Sequence, residues 1–455
     1  MPRIPNLRYL GKERPLGEAR SLFHAARSAE CLAALGTNGA PEAVLLRARS
    51  FLRLGERERA GETLERVRIA DEPDYIKAEH HALRATVFQR RGEIDKARRF
   101  FDAAKVVAKG LGGAALAEVL FFLALAAWAD RDLARAEALA AEALAVPPAL
   151  HDPYARALAT VRAQALELHS LVAAGGADFE MQALLLASAW RESDESSEPD
   201  QYVRANLLKN LAPLVWELHL VDEAEFLETA CRRMPWTDET AVARWAAERA
   251  LAWHAALDGD HLGAFRRFRE CIDLAPSVPM RIASTLDRAY LAAEMRERVI
   301  HAEEMGRVYD LAARVDWEAV RGDDGTIILR IAEAYAREDG DVARVWLGRY
   351  DRARIFPREL HLLASDDPRQ SAWEWDAEAA VFVAEKRPDR AVAMRRLALE
   401  TWDAFGHRWR AARTAIAIAE VTGAPDDVVG ARQRTDEFRR SWLGRRLRRL
   451  AGRSM

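Results

Sequence analysis

Three cysteines and eleven histidines are among the residues of this 455-residue chain whose side chains could act as nucleophiles, bases or metal ligands. Cys31, Cys231 and Cys271 are far apart and form no C-x-x-C pair, which argues against a disulfide framework or a zinc module. A catalytic thiol also needs a base and an oxyanion donor nearby, and no spacing in the sequence marks them. We predict that all three cysteines are small core residues.

His254, Asp258 and His261 follow an i, i+4, i+7 spacing that could supply three metal ligands from one helix face. Gly259 interrupts that helix, so the three side chains would not stay aligned, and we predict no metal site. The GLGG at 110–113 follows a helix end rather than a strand, so it predicts a turn and not a phosphate loop. No other pattern indicates a cofactor, and we predict that the protein is not an enzyme.

A skeleton of small and aromatic residues on helical spacing recurs along the chain. Small residues at such intervals allow two antiparallel helices to approach closely, so each copy predicts one helical hairpin that stacks on the next. The four clearest copies contain Ala48, Phe51, Gly55 and Ala60; Ala85, Phe88, Gly92 and Ala97; Ala252, Gly259, Ala264 and Phe268; and Trp375, Ala379, Phe382 and Ala391.

The composition fits an all-α protein, because Ala, Leu, Arg and Glu dominate and all of them favour helices. Even the β-like stretch at 326–329 continues into a helical pattern. The longest apolar run, residues 119–129, is too short to span a bilayer and predicts a buried helix without a membrane span. The N-terminus lacks the apolar core of a secretory signal, so we expect a cytoplasmic protein.

The spacing of these residues resembles the tetratricopeptide repeat. In the unit that starts at residue 372, Trp375, Ala379, Phe382 and Ala391 match repeat positions 4, 8, 11 and 20. The resemblance implies a right-handed α-solenoid, a superhelix of about nine or ten hairpins. It also implies a groove, lined by the first helix of each hairpin, that holds a protein or a linear peptide. The segment 398–423 also resembles the longer repeats in the sensor regions of bacterial transcription regulators.

We divide the chain by composition and by the repeat pattern. The acidic segment RESDESSEPD at 191–200 has no apolar anchor and predicts a flexible loop between two sets of repeats. The predicted parts are an N-terminal arm and capping helix at 1–40, repeats at 41–190, the acidic loop at 191–200, repeats at 201–440, and an Arg-rich helix or tail at 441–455.

The resemblance also identifies side chains that would face the groove. Asn206 and Asn210 lie one helical turn apart, and an asparagine can hold an extended peptide backbone through two hydrogen bonds. Phe121, Phe122 and Trp128 fall at similar positions, but their apolar flanks favour the core. The polar and aromatic groove residues predicted in this way are Arg49, Arg53, Thr86, Gln89, Arg90, Asn206, Lys209, Asn210, Arg249 and Trp253.

The C-terminal segment is the strongest charged feature. Residues 431–455 hold nine arginines against two acids, a local charge of +7, so the preceding 430 residues carry −10. Either a capping helix with a polar exterior or a docking site for nucleic acid or an acidic surface would explain this basic segment. Its basic residues include Arg439, Arg440, Arg445, Arg446, Arg448 and Arg449.

Two functions remain open from the sequence. The first is a regulatory adaptor that binds a protein or peptide in its groove without catalysis. The second is a ligand-gated transcription regulator that acts through RNA polymerase or a DNA-binding partner, with the Arg-rich tail as the contact. The sequence shows no helix-turn-helix at either end, which favours the adaptor, and it leaves the oligomeric state open.

Overall fold

The computed structural model describes residues 13–147, 155–175, 178–194, 199–317, 325–355 and 368–451. Every regular element in these ranges is helical, as predicted. The β-like stretch at 326–329 lies inside a helix. Residues 1–12 of the predicted N-terminal arm lie outside the described residues.

The chain forms two compact units. The first comprises residues up to Leu208 together with 234–240, and the second comprises 209–233 and the residues from Ala241 onward. The first unit contains α1 (Glu13–His24), α2 (Ser28–Leu35), α3 (Pro41–Arg53), α4 (Arg57–Glu65), α5 (Asp74–Arg90), α6 (Ile94–Leu111), α7 (Gly113–Ala129), α8 (Leu133–Ala145), α9 (Ala155–Gly175) and α10 (Phe179–Asp194).

The boundary between the units falls within α11 (Gln201–Glu217). The second unit continues with α12 (Val221–Arg233), α13 (Ala241–Asp258), α14 (His261–Leu274), α15 (Val278–Met295), α16 (Arg298–Ala312), α17 (Gly325–Tyr335), α18 (Gly340–Ile355), α19 (Pro368–Ala384), α20 (Pro388–Ala404), α21 (Arg408–Thr422), α22 (Pro425–Thr435) and α23 (Trp442–Ala451).

Among the described residues, ten pairs of consecutive helices pack together, from α1 with α2 to α21 with α22, and each pair begins with an odd-numbered helix. Tight turns with a left-handed residue join most of these pairs. Gly55 has φ 78°, and the N–H of the next residue, Glu56, donates to the Phe51 carbonyl at 2.8 Å. Gly92 has φ 77° in the equivalent turn. Such a turn satisfies carbonyls at the end of the first helix and reverses the chain, which is why the repeat places glycine there.

Several hairpins keep this turn without glycine. Arg131, His219, Arg296 and Lys386 have φ of 62°, 54°, 64° and 57°. A residue with a β-carbon is less stable in this left-handed conformation by about 1–2 kcal/mol. These hairpins keep the left-handed turn in spite of that cost. The glycine pattern is therefore lost from the sequence in places where the hairpin persists.

The small repeat residues lie at the helix contacts, as predicted. Ala60, Ala264 and Ala391 are 0% exposed and Ala97 is 3% exposed. One apolar cluster runs from α5 to α9 in the first unit and another from α13 to α19 in the second. The apolar run at 119–129 lies in α7 within the first of these clusters. Within the described residues, no helix is long and apolar enough to cross a membrane.

Three details differ from the sequence predictions. Residues 13–35 form a hairpin, broken at Ala26 with φ 56°, rather than one helix. Residues 191–194 end α10 instead of belonging to a loop, and 195–198 lie outside the described residues. Asp200 is also ordered by contacts, because its carboxylate accepts the Tyr202 N–H at 3.0 Å at the start of α11.

Ala264→Trp should overpack the contact between α13 and α14 and destabilise the second unit by about 1–3 kcal/mol or more. Ala97→Trp should act in the same way on the first unit. Ala138, which is exposed on α8, is the matched control, and Ala138→Trp should change the free energy of unfolding by less than about 0.5 kcal/mol. Thermal unfolding of the three variants is the measurement, and an unchanged melting temperature in both core variants would contradict the burial of these alanines at helix contacts.

Candidate binding surfaces

Arg49 joins three odd-numbered helices of the first unit. From α3, its Nε lies 2.6 Å from Glu79 Oε1 on α5, and its Nη2 lies 2.7 Å from Glu118 Oε1 on α7. Burial raises the pKa of Glu118, against the opposing charge of Arg49. The predicted groove residue Arg49 thus faces the other odd-numbered helices, and both of its interactions are within the protein.

Arg53 ties α1 and α3 to the start of α11. Its guanidinium donates to the Phe23 carbonyl at 2.6 Å, lies 3.4 Å from the Phe23 ring centroid, and pairs with Asp200. Asp200 is 4% exposed and lies 3.5 Å from the His24 ring. Burial raises the pKa of Asp200, but the charges of Arg53 and His24 outweigh it and bring the pKa to about 2.

The predicted groove residues of α5 also contact their neighbours. Thr86 is buried, and its hydroxyl donates to the Ala82 carbonyl at 3.0 Å. The Gln89 amide donates to the Ala126 carbonyl at 3.1 Å. Arg90 is exposed at the end of the helix and donates to a backbone carbonyl at 3.2 Å. Of these three side chains, only Arg90 is exposed.

Three predicted groove residues lie on α11. Asn206, Lys209 and Asn210 are all half-buried. Because residues four apart on a helix share one face, Asn206 and Asn210 lie on the same side of α11. The role of these residues in peptide binding stays a prediction.

Arg249 and Trp253, both on α13, face the interior of the second unit. Arg249 Nε lies 2.5 Å from Asp287 Oδ2 on α15, and the same carboxylate pairs with Arg330 on α17. Trp253 is 2% exposed. Its ring stacks on Trp216 and on Trp409, with centroid distances of 5.4 Å in both cases.

We call this group of rings the central aromatic cluster of the second unit. It joins odd-numbered helices that are distant in sequence, because α21 and α23 supply rings that pack on α13 and α15. Its members are Trp216, Trp253, Tyr290, Trp409 and Trp442. The odd-numbered helices of this unit are therefore covered, at the cluster, by the C-terminal part of the same unit.

The C-terminal helix α23 is docked rather than loosely attached. Trp442 and Leu443 are fully buried, and α23 contacts α13, α15, α21 and α22. Arg446 Nε donates to Glu420 Oε1 at 2.8 Å, and its Nη1 lies 3.6 Å from Glu294. Burial raises the pKa of Glu294, but the nearby arginines, Arg446 first, lower it to about 2. This arrangement matches the predicted capping role of the helix.

The other basic tail residues differ in exposure. Arg439 is 72% exposed and pairs with Asp436 one turn away. Arg440, Arg445 and Arg448 are also exposed, whereas Arg449 is half-buried. The exposed arginines form the part of the predicted basic segment that an outside molecule could reach.

Arg410 on α21 is an interior residue that the sequence analysis missed. It is 1% exposed, and its Nε, Nη1 and Nη2 have no hydrogen-bond partner among the described residues. Four indole rings surround its guanidinium carbon, at centroid distances of 3.5, 4.5, 5.1 and 5.2 Å. Burial lowers the pKa of Arg410 to about 9. Its apolar flanks in RAARTAIAIA could have signalled a buried arginine.

The cysteine prediction is confirmed. Cys31 and Cys271 are 0% exposed and Cys231 is 7% exposed, and none forms a disulfide. Burial raises the pKa of all three thiols, in Cys231 to about 12, which disfavours the reactive thiolate. Among the described residues, no group of three His, Cys, Asp or Glu side chains could hold a metal ion.

No protein-family model matches the chain, and no curated protein matches it either. Several solved structures are similar to it at low sequence identity. A Rap protein complexed with competence and sporulation factor has a TM-score of 0.42 and 14% identity, over 75% of this chain and 96% of that chain. The human IFIT1 dimer with m7Gppp-AAAA has a TM-score of 0.45 and 13% identity, over 96% and 95%. The TPR domain of P58(IPK) has a TM-score of 0.27 and 15% identity, over 88% and 97%.

The TM-scores and sequence identities of these structures are too low to indicate a function for this chain. The hairpins, the small contact residues and the left-handed turns of the described chain define the fold by themselves. The described part of the protein is an all-α stack of helical hairpins whose small-residue spacing resembles the tetratricopeptide repeat.

Proposed function

We propose that the protein is a non-catalytic regulatory scaffold that binds a protein or a peptide on the odd-numbered helices of its hairpins. The observation that carries this proposal is the docking of α23 on α13 and α15. There, an amphipathic segment buries Trp442 and Leu443 and pairs Arg446 with two acids. The same combination of apolar anchors and a charge pair is used when a helix binds in a groove of another protein.

In the first unit, the reachable residues for such a partner are Arg90 and the half-buried Asn206. Affinity purification of the full-length protein from its native cells, followed by mass spectrometry, should identify a partner. Arg90→Glu and Asn206→Ala should weaken its retention by about tenfold, because each removes a hydrogen-bonding group from the contact.

Arg99→Glu is the matched control, since Arg99 is exposed on α6, the second helix of its hairpin. This variant should retain the partner like the wild-type protein. Equal loss from all three variants would indicate non-specific charge binding, and no loss from Arg90→Glu and Asn206→Ala would place the contact elsewhere.

A transcription regulator that touches nucleic acid is the second candidate, favoured by the exposure of Arg440, Arg445 and Arg448. Deletion of the tail is unsuitable as a test, because Phe438 and Trp442 are buried. The triple variant with alanine at these three arginines removes three positive charges and keeps the buried anchors.

If the tail binds DNA, the affinity of the full-length protein should fall steeply with salt. Three phosphate contacts correspond to a slope of about −2.7 for log K against log salt concentration, and the triple variant should lose that slope. If full-length protein does not bind DNA even at low salt, only the scaffold function remains.

A further inference from the structure

A cleft in the second unit opens between α15, α16 and α17. Its cavity volume is about 30 Å³, or about 370 Å³ with the open space at its mouth, so it suits a small group rather than a large ligand. The wall is half apolar and half polar. The apolar residues are Leu286, Ala289, Ala293, Met305 and Ala334, and the polar ones are Tyr290, His301, Arg330, Glu333 and Arg337.

Arginines share the few carboxylates around this cleft. Asp287 pairs with both Arg249 and Arg330. Glu294 is likewise paired with two arginines, one of them Arg337 at 2.8 Å. Glu333, the one acid in the cleft wall, is ion-paired with an arginine of α21. The carboxylates near the cleft are therefore already ion-paired with arginines of the same unit.

The interior next to the cleft also has more hydrogen-bond donors than acceptors. The Tyr290 hydroxyl has no hydrogen-bond partner among the described residues. The same holds for the Arg410 guanidinium and for the indole N–H groups of Trp253, Trp409 and Trp442. The Tyr290 ring lies 5.5 Å from Trp442 and 6.0 Å from Trp253, so these donors belong to one region. Buried donors are normally satisfied, so each of these groups can still donate to an acceptor from outside the described residues.

We propose that the cleft binds a small anionic group, a phosphate or a carboxylate, at Tyr290, Arg330 and Arg337. The hydroxyl and the two guanidiniums donate to its oxygens, a pairing that favours charged acceptors. The apolar wall takes a short hydrocarbon part of the same ligand. The partner contact tested above uses Arg90 and Asn206 of the first unit, so each proposal can fail without the other.

The positive charge of Arg330 near the buried Arg410 favours an anion in the cleft. Burial lowers its pKa, and although Glu217 opposes this, the positive charge of Arg330 lowers it further. Arg330 lines the cleft, so an anion there would reduce the repulsion between these two arginines. A bound anion would thus stabilise the folded unit as well as fill the cleft.

The test uses the full-length protein and inorganic phosphate or acetate as separate probes, with sodium chloride keeping the ionic strength constant. A ligand that binds only the folded state raises the melting temperature saturably with concentration. A saturable rise of the melting temperature with phosphate alone identifies a phosphate site. A saturable rise with acetate identifies a carboxylate site. If neither anion gives a saturable rise, the proposal is overturned.

Two variants locate the site. Tyr290→Phe keeps the ring in the cluster and removes the unpaired hydroxyl, and it should weaken the saturable binding by about tenfold. Arg337→Gln should have a similar effect, while Glu294 retains Arg446 as its partner. Tyr309→Phe is the control, because Tyr309 is 68% exposed and is not part of the cleft wall. Unchanged affinity in both cleft variants would place the anion elsewhere and refute the assignment.

Discussion

Asp287→Asn should lower the free energy of unfolding of the second unit by about 3–5 kcal/mol. Asp287 is 0% exposed and is the shared carboxylate of Arg249 and Arg330, so it links α13, α15 and α17. The asparagine has nearly the same shape but no charge, so two buried guanidiniums would lose their counter-charge. The cost comes mainly from those two desolvated cations rather than from the lost hydrogen bonds.

Denaturant unfolding followed by circular dichroism measures this effect. The control is Asp436→Asn, because Asp436 is 61% exposed and pairs with Arg439 at the surface. That change should cost less than about 1 kcal/mol, since solvent screens an exposed pair. Similar effects of the two variants would show that Asp287 does not hold the three hairpins together.

Gly444→Ala should destabilise the second unit by about 1–3 kcal/mol or more by undocking α23. A β-carbon at Gly444 would lie 2.3 Å from the Arg439 carbonyl oxygen and 2.7 Å from its carbonyl carbon. Both atoms are backbone, so no side chain can move to relieve the clash. The close approach of the Arg439 backbone therefore explains why glycine occupies this position.

Gly306→Ala is the matched control for this prediction. Gly306 lies within α16, is exposed, and has nothing within 4 Å of its expected β-carbon. The substitution should therefore stabilise the protein by about 0.5–1 kcal/mol, the usual gain from replacing a mid-helix glycine. Opposite signs for the two glycines are expected in thermal unfolding, and destabilisation of equal size by both would contradict the close contact at Gly444.

The hairpins could be predicted because their determinants are local. Ala60 and Ala97 mark helix contacts, and Gly55 and Gly92 mark turns, all within a few turns of their partners. Where arginine or lysine replaces the turn glycine, as at Arg296, the pattern weakens although the geometry stays. The extra hairpin at 13–35 was missed for the same reason, since Ala26 adopts the left-handed conformation without a glycine.

The polar interior could not be predicted in the same way. Arg49, Arg53 and Arg249 occupy groove positions in the repeat pattern, but each of them pairs with an acid of the same unit. Their carboxylate partners lie on other hairpins, at separations that no repeat period specifies. The roles of Asp287 and Arg410 were missed because no pattern in the neighbouring sequence identifies the residues that they contact.

The sequence by itself determined a stack of tetratricopeptide-like hairpins, because small residues and turns act between neighbours in the chain. Only the tertiary structure decided which odd-numbered helices are open and which are covered. In the second unit, Trp253 and Trp409 meet although they lie on hairpins far apart in the sequence, and α23 packs on α13 and α15. Such contacts depend on the packing at every interface between hairpins, which no single repeat encodes.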